Sequence, residues 1–122
     1  MAFWQKAENG SPHAPLAQKN LGSMYFLDQQ YEKAEEHFKK SAILNPTESM
    51  IHNNLGLVYM NQEDFIRAES EFEQEMKINP NYDNVYFNYG LLKQRQGKIK
   101  EAVALWQKTA EINPIILTLI QS

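Results

Sequence analysis

Three histidines and a run of glutamates are the side chains of this sequence whose chemistry suits catalysis or metal binding. The histidines are His13, His37 and His52, and none has a second histidine four residues away, as a helical metal site would require. Glu36 adjoins His37 in an acidic stretch with helical spacing, so we expect this histidine to lie on a solvated helix face. The histidines therefore predict no metal site.

Glutamates alternate through residues 69–75, and the same stretch has an apolar side made of Ala68, Phe72 and Met76. We expect the carboxylates to fan around the solvent side of this helix and to repel one another at i,i+4 spacing. Paired acids for hydrolysis need one raised pKa in a pocket, which an open helix surface does not provide. The sequence also lacks a glycine-rich phosphate loop, a nucleophile elbow and cysteine. It predicts a protein that is not an enzyme and uses no cofactor or metal.

The composition, with 43% apolar and 22% charged residues, is that of a globular chain. Its net charge of −3 disfavours nucleic acid as a partner, because neutralising phosphates needs a basic surface. No apolar run is long enough to cross a bilayer, so no membrane partner is expected. The first residues lack the basic start and long apolar stretch of a signal peptide, which predicts a cytoplasmic location.

The interval between Pro46 and Pro80 recurs along the chain without insertion or deletion. We call this interval the period. Residues separated by whole periods are in register. Four residue classes share the period: proline, glycine, alanine and a large aromatic. The recurring residues are Pro12, Pro46, Pro80 and Pro114; Gly22, Gly56 and Gly90; Ala34, Ala68 and Ala102; and Trp4, Phe38, Phe72 and Trp106. Self-similarity at a fixed period of this length indicates a repeat architecture.

Each period has the apolar spacing of two amphipathic helices joined by a short turn. The predicted second helix of the first unit spans about 32–44, and the later pairs are 49–62 with 66–78 and 83–96 with 100–112. A mid-helix glycine costs about 1 kcal/mol relative to alanine. That cost is explained if the recurring glycine marks a close approach of two helices. We expect the recurring alanine to oppose the glycine, with the aromatic beside it.

The units are residues 15–48, 49–82 and 83–116. We expect residues 1–14 to form a partial helix of a preceding repeat or an N-terminal extension, and residues 117–122 to begin an incomplete helix. The ends are apolar, which predicts that they fold back over the last repeats, that the chain is a fragment of a longer array, or that chains associate end to end. The residues for such self-association are Phe3, Trp4 and the stretch 115–120, which includes Ile115 and Ile120.

The signature residues of each unit resemble those of the tetratricopeptide repeat. The matching motifs are Leu21-Gly22-x-x-Tyr25, Ala34-x-x-x-Phe38 and Pro46, with Leu55-Gly56-x-x-Tyr59, Ala68-x-x-x-Phe72 and Pro80, and then Tyr89-Gly90, Ala102-x-x-x-Trp106 and Pro114. Lys93 departs from the expected tyrosine, and Gln18, His52 and Tyr86 stand where the family often has tryptophan. The resemblance covers about residues 15–116. It implies an all-α solenoid of antiparallel helix hairpins, wound into a right-handed superhelix.

The resemblance also implies that the first helices line a concave groove that binds a protein or peptide partner. The peptide-binding residues carried over to this sequence are Lys19, Asn20, Ser23, Asn53, Asn54, Leu57, Asn84, Phe87, Asn88 and Leu91, flanked by Leu16 and Met50. Asn20, Asn54 and Asn88 recur once per period, and an amide both donates and accepts hydrogen bonds. This ladder resembles the groove of the superhelical domain of O-linked N-acetylglucosamine transferase. Hydrogen bonding between helices is the alternative role for these asparagines.

Related co-chaperones hold the acidic tail of heat-shock chaperones with a carboxylate clamp of lysines, asparagines and an arginine. The corresponding places here are Lys19, Ser23, Asn54, Asn84 and Asn88, of which only Lys19 and Asn54 match. The missing cations would have made the charge-assisted bonds to the carboxylate, so we expect no chaperone-tail binding.

Charge is uneven along the array: residues 49–82 carry six acids and two bases, and residues 83–116 carry three acids and five bases. The cations Lys93, Arg95, Lys98 and Lys100 are either ordinary solvated charges or a surface that favours acidic peptides or a neighbouring array.

The sequence thus predicts an interaction scaffold that holds an extended or helical segment. Two alternatives remain open: a targeting or regulatory fragment of a larger enzyme or co-chaperone, and a self-stacking structural array.

Overall fold

The computed structural model describes residues 14–115 and folds them into six α-helices, with no strand in that range. The helices are α1 (Pro15–Leu27), α2 (Tyr31–Leu44), α3 (Ile51–Asn61), α4 (Phe65–Ile78), α5 (Asp83–Arg95) and α6 (Ile99–Ile112). Three hairpins, α1/α2, α3/α4 and α5/α6, pack in sequence order, because α2 lies against α3 and α4 lies against α5. The predicted all-α hairpin solenoid is confirmed.

The three hairpin turns share one backbone conformation. Gln29, Glu63 and Gly97 are in register, and each has a left-handed φ, of 61°, 62° and 79°. The backbone N–H of the residue that follows each of these positions donates to a carbonyl in the last turn of the preceding helix. An example is the 2.9 Å bond from the Gln30 N–H to the Tyr25 carbonyl. This is the hydrogen bond of a Schellman-type helix end, for which glycine is the residue of least strain.

The recurring glycine lies directly under the recurring aromatic ring. A Cβ built on Gly56 would stand 2.5 Å from Phe72 Cε1, and one on Gly22 would stand 2.5 Å from Phe38 Cδ1. Gly90 meets the indole of Trp106 in the same way. The expectation of a close approach is confirmed, and the atoms nearest to the built Cβ belong to the aromatic ring. The place of the alanine opposite the glycine stays a prediction. The ring itself fills the space, because only a residue without a side chain lets it lie so close.

The core runs through all three hairpins. Its largest fully buried apolar side chains are Phe38, Ile51, Val58, Phe72, Val85 and Leu92. These residues come from α2, α3, α4 and α5, so the packing that joins neighbouring hairpins also holds the first helices in a row. Among residues 14–115, no helix has the length and apolar character needed to span a membrane.

Candidate peptide-binding groove

An apolar pocket opens between α1 and α3. It has a volume of about 180 Å³ and is lined by Ser23, Phe26, Leu27, Phe38, Asn54 and Leu57. Phe38 of α2 is buried at its base, while Ser23 and Asn54 are the polar groups of the lining. Three of the predicted groove residues, Ser23, Asn54 and Leu57, therefore meet at one cavity. We call it the α1–α3 pocket.

Two of the predicted groove asparagines bind each other. The Nδ2 of Asn88 donates to the Oδ1 of Asn53 over 3.0 Å, which joins α5 to α3. Asn53 is only 2% exposed. The structure therefore does not support Asn53 as a contact for a peptide. Its side chain is turned into the α3–α5 junction, where it performs the helix-to-helix role that the sequence left open.

Lys19 is engaged within the chain. Its Nζ lies 3.1 Å from Glu48 Oε2 and also donates to the Ser49 carbonyl at 3.1 Å. These contacts tie α1 to the loop before α3. The lysine charge is paired with a carboxylate and joins the first two hairpins, and the role of Lys19 in peptide binding stays a prediction.

The remaining predicted residues lie at different depths. Asn20, Asn84 and Phe87 are exposed, whereas Leu91 is partly buried against the core. Asn84 Nδ2 has a long contact of 3.4 Å with the Tyr82 hydroxyl. Phe87 is fixed through its backbone, because the indole N–H of Trp106 donates to its carbonyl at 3.2 Å. The flanking residues Leu16 and Met50 are exposed and partly buried, respectively.

One glutamate of α4, Glu75, does not lie on the solvent side as expected. Glu75 is fully buried, and its Oε1 accepts the backbone N–H groups of His52 and Asn53 at 3.1 and 3.0 Å. Its other oxygen accepts from the Asn79 amide. A signal was present in the sequence, since Glu75 lies two helical turns after Ala68 and so falls on the apolar side of the helix.

Glu69 and Glu73 share one partner across the junction with the third hairpin. The Tyr89 hydroxyl lies 2.7 Å from Glu69 Oε2 and 3.0 Å from Glu73 Oε2. The hydrogen bond from Tyr89, together with Lys93, lowers the pKa of Glu69. Burial and the two carboxylates raise the pKa of Tyr89, so the phenol stays protonated and donates a hydrogen bond. The expected i,i+4 repulsion is thus offset by a common donor.

Lys93 stands in the place of the family tyrosine and makes the equivalent contact. Tyr59, one period before Lys93, reaches Glu35 Oε2 over 3.1 Å. Lys93 Nζ lies 3.2 Å from Glu69 Oε2, and Glu69 is the residue in register with Glu35. Lys93 is buried and also pairs with Glu101 at 3.1 Å. Burial alone would lower the pKa of Lys93, but the bonds to Glu101 and Glu69 outweigh the effect of burial and raise the pKa.

The basic surface expected on the third unit is smaller than the sequence indicated. Lys93 is buried, and Arg95 is partly used at the junction, where its Nη1 donates to the Met60 carbonyl at 3.3 Å. The guanidinium also lies 5.6 Å from the Phe65 ring centre. Lys98 and Lys100 remain exposed.

The histidines within the described range are hairpin contacts. His52 Nδ1 lies 2.8 Å from Glu71 Oε1, and its Nε2 is 3.2 Å from the Pro46 carbonyl. The bond to Glu71 raises the pKa of His52. His37 stacks on Tyr25 with ring centres 5.3 Å apart and contacts Gln18 Oε1 at 2.8 Å, so the expected solvated face is wrong. His13 lies outside the described residues.

The pairs Gln18–His37 and His52–Glu71 occupy the same two register positions in the first and second hairpins. The place where the family often carries tryptophan therefore holds a polar contact between the two helices of a hairpin. Within residues 14–115, no group of three or more His, Cys, Asp or Glu side chains is arranged to hold a metal ion.

Three repeated hairpins, with an apolar pocket between the first helices of the first two, define a helical-repeat protein. Two family models described as tetratricopeptide repeat match residues 15–48 and 51–82, together more than half of the chain. The chain belongs to the tetratricopeptide repeat family, whose repeats mediate protein–protein interaction. A comparison with curated proteins finds no match.

Several solved structures share the fold. A crystal structure of MamA has a TM-score of 0.79 at 23% identity, covering 94% of this chain and 67% of that one. The first TPR domain of Spaghetti (RPAP3), bound to the HSP90 peptide SRMEEVD, has a TM-score of 0.78 at 24% identity, with 84% of each chain covered. The Arabidopsis OM64 TPR domain has a TM-score of 0.79 at 21% identity, covering 83% of this chain and 84% of that one. At these identities the likeness concerns the fold alone.

Proposed function

We propose that the chain is an interaction scaffold, not an enzyme, that binds an extended peptide segment along α1, α3 and α5. One large apolar side chain of the peptide enters the α1–α3 pocket. The observation that carries the proposal is the meeting of Ser23, Asn54 and Leu57 at a single apolar cavity of about 180 Å³. An apolar cavity of roughly 150 Å³ holds a benzene ring, so the pocket suits an aromatic or branched aliphatic side chain.

We expect Asn54 to bind the backbone of the same peptide. It belongs to the lining of the α1–α3 pocket, and among residues 14–115 neither Asn54 nor Asn20 has a side-chain hydrogen bond. An amide can donate to a peptide carbonyl and accept from a peptide N–H, at about 0.5–1.5 kcal/mol for each bond. The proposed likeness to the asparagine-lined groove of O-linked N-acetylglucosamine transferase rests on Asn54 and Asn20, because the side chain of Asn88 already donates to Asn53.

Charge favours a partner without an acidic tail. Lys19 is the cation among the clamp positions, and it is paired with Glu48. The other clamp positions hold Ser23, Asn54, Asn84 and Asn88, which carry no charge. A terminal carboxylate would lose water without gaining an ionic partner, so an uncharged apolar segment is the better ligand.

Selection from a random peptide display library on the immobilised chain tests the proposal. We expect enriched peptides to share a large apolar residue, and a fluorescent synthetic copy to bind in an anisotropy titration. Leu57→Lys places a charge in the pocket and should weaken binding at least about tenfold, which corresponds to about 1.4 kcal/mol. The matched control is Ile66→Lys, which adds the same charge at an exposed position of α4.

The peptide SRMEEVD serves as the comparison probe and is expected to bind more weakly than the selected peptides. Three outcomes would contradict the proposal: no enrichment, equal binding by Leu57→Lys and wild type, or a preference for SRMEEVD. A targeting or regulatory fragment of a larger enzyme or co-chaperone would use the same groove. The cytoplasmic location stays a prediction.

A further inference from the structure

The α1–α3 pocket differs from the equivalent place between α3 and α5 in the size of one side chain. Ser23 of α1 lines the pocket, whereas the residues in register with it on α3 and α5 are Leu57 and Leu91. Both leucines are partly buried and pack against the core. Because serine is smaller than leucine, α1 leaves open a space that the leucines of α3 and α5 occupy.

A second difference concerns a side chain that bridges neighbouring first helices. Arg95 of α5 crosses to the second hairpin, where its Nη1 donates to the Met60 carbonyl at 3.3 Å and its guanidinium lies 5.6 Å from the Phe65 ring centre. Asn61 of α3 is in register with Arg95, but its Nδ2 donates to the Leu57 carbonyl of its own helix at 2.8 Å. Asn61 therefore does not bridge α3 to α1 as Arg95 bridges α5 to α3.

A third difference leaves the amide of the pocket available. Between α3 and α5, Asn88 donates to Asn53. The residues in register with this pair are Asn54 and Lys19, and Lys19 is paired with Glu48 instead. Within residues 14–115, Asn54 therefore keeps its donor and acceptor groups free. Size, bridging and hydrogen bonding all open the α1–α3 junction relative to the α3–α5 junction.

The lining of the pocket favours an aromatic side chain over an aliphatic one. Phe26 and Phe38 both belong to the lining, and Phe26 already packs edge-on against Tyr31 with ring centres 5.5 Å apart. Aromatic rings prefer offset or edge-to-face contacts with one another, and such contacts add to the gain from apolar burial. The lining residues carry no charge, so the pocket would leave a buried ammonium or carboxylate group without a partner.

The lining belongs to α1, α2 and α3 and includes none of the residues predicted for self-association. Of those residues, Ile115 is exposed, and Phe3, Trp4 and residues 116–120 lie outside the described residues. Self-association therefore stays a prediction.

We propose that Ser23 and Asn61 make the α1–α3 junction an anchoring site for one aromatic side chain of a partner polypeptide. The ligand is an extended, uncharged segment whose phenyl ring enters the pocket while its backbone meets Asn54. This inference rests on the proposed function. It adds the chemistry of the anchor and the two residues that select it.

Ser23→Leu tests without any ligand whether the serine leaves a space. We expect this variant to melt at a higher temperature than wild type, because the leucine fills a cavity between α1 and α3. Ser70→Leu is the matched control, since it makes the same change at an exposed position of α4 and reports the gain in helix propensity alone. A melting temperature for Ser23→Leu no higher than that of Ser70→Leu would contradict the role assigned to Ser23.

NMR titration of the whole chain with N-acetyl-phenylalanine amide tests the anchor. The probe is added up to about 50 mM, because one buried side chain gives an affinity of roughly millimolar or weaker. We expect saturable shifts at the methyl groups of Leu27 and Leu57, which both line the pocket. N-acetyl-leucine amide should bind about threefold more weakly, since it lacks the ring contacts, and N-acetyl-lysine amide should give no saturable shift.

The two selecting residues are then changed with this probe. Ser23→Leu should abolish the shifts, and Ser70→Leu should leave them as in wild type. Asn61→Arg should weaken binding several-fold, because the arginine can reach the Phe26 carbonyl and the Tyr31 ring, which are in register with the groups that Arg95 contacts. Gln74→Arg adds the same charge at an exposed position of α4 and should bind as wild type does.

The inference and the proposed function fail in different ways. Undiminished probe binding by folded Ser23→Leu, a preference for the leucine probe, or no shift in wild type overturns the inference. The proposed function still stands in each of these cases if library-selected peptides bind wild type and Leu57→Lys weakens them. Wild type that binds neither the phenylalanine probe nor any library peptide overturns both.

Discussion

The carboxylate of Glu75 accepts the backbone N–H of Asn53 over 3.0 Å, so α4 caps the first turn of α3. Met50 precedes that helix with a left-handed φ of 69° and provides no side-chain cap. A carboxylate at a helix N-terminus satisfies free amides and interacts favourably with the helix dipole. Ser41, in register with Glu75, bonds the Pro15 carbonyl at the start of α1, so this position joins the two helices in both hairpins.

Glu75→Ala should lower the free energy of unfolding by about 2–3 kcal/mol, because it leaves two buried amides without an acceptor. Glu75→Gln keeps one carbonyl oxygen and should cost about 1 kcal/mol. The measurement is the urea midpoint of the helical circular dichroism signal. Glu111→Ala, at an exposed glutamate of α6, is the control and should be nearly neutral. Equal midpoints for Glu75→Ala and Glu111→Ala would show that the cap does not contribute to the free energy of unfolding.

His52 makes the stability of the second hairpin depend on pH. Its protonated ring donates through Nδ1 to Glu71 and through Nε2 to the Pro46 carbonyl, and the Glu75 carboxylate lies at its backbone N–H. The bond to Glu71 raises the pKa of His52 above its ordinary value in the unfolded chain. The folded state therefore binds more protons, and the stabilisation is complete below the unfolded pKa and lost as pH rises through the folded one.

We expect the melting temperature to fall as pH rises above about 6.5, the ordinary pKa of histidine. His52→Gln, which has no titrating ring, should flatten that slope. A slope of equal size in His52→Gln would assign the pH dependence to other groups.

The hairpins could be predicted from the sequence because each depends on local spacing. A glycine under an aromatic, a proline after the second helix and apolar residues at helical intervals recur together, and these patterns determine which helices form. The solenoid order follows because one hairpin cannot bury its apolar sides alone. The left-handed turns at Gln29 and Glu63 were not predicted as such, since neither residue type favours that conformation.

The groove could be predicted only in part, because its details depend on how different hairpins cross. Asn53 and Asn54 are neighbours in sequence, but successive residues point about 100° apart around a helix. That rotation turns Asn53 toward Asn88 and leaves Asn54 at the α1–α3 pocket. Lys19 was also expected to bind peptide, and only the path of the loop before α3 shows that Glu48 reaches it.

Lys93 provides a test of whether the family tyrosine and this lysine are interchangeable. Because Tyr59 reaches Glu35 from the register position of Lys93, Lys93→Tyr should remain within about 1 kcal/mol of wild type. Lys93→Ala should cost about 1–2 kcal/mol, since it leaves Glu69 and Glu101 without their cation in a partly exposed site. Urea midpoints measure both variants, with Lys100→Ala as the exposed control. If Lys93→Tyr is as unstable as Lys93→Ala, the two contacts are not equivalent.

Substitution of Asn53 should affect stability, whereas substitution of Asn54 should affect peptide binding. Asn53→Ala removes the acceptor of Asn88 and opens space in the α3–α5 junction, so it should lower the free energy of unfolding by about 1–2 kcal/mol. Asn54→Ala changes no side-chain bond within residues 14–115, so its melting curve should match wild type. Its affinity for a library-selected peptide should fall several-fold through the loss of one or two backbone hydrogen bonds. Anisotropy titrations and melting curves on both variants make the comparison. A reversed pattern, with Asn54→Ala unstable and Asn53→Ala impaired only in binding, would mean that the peptide is held at the α3–α5 junction and not at the α1–α3 pocket.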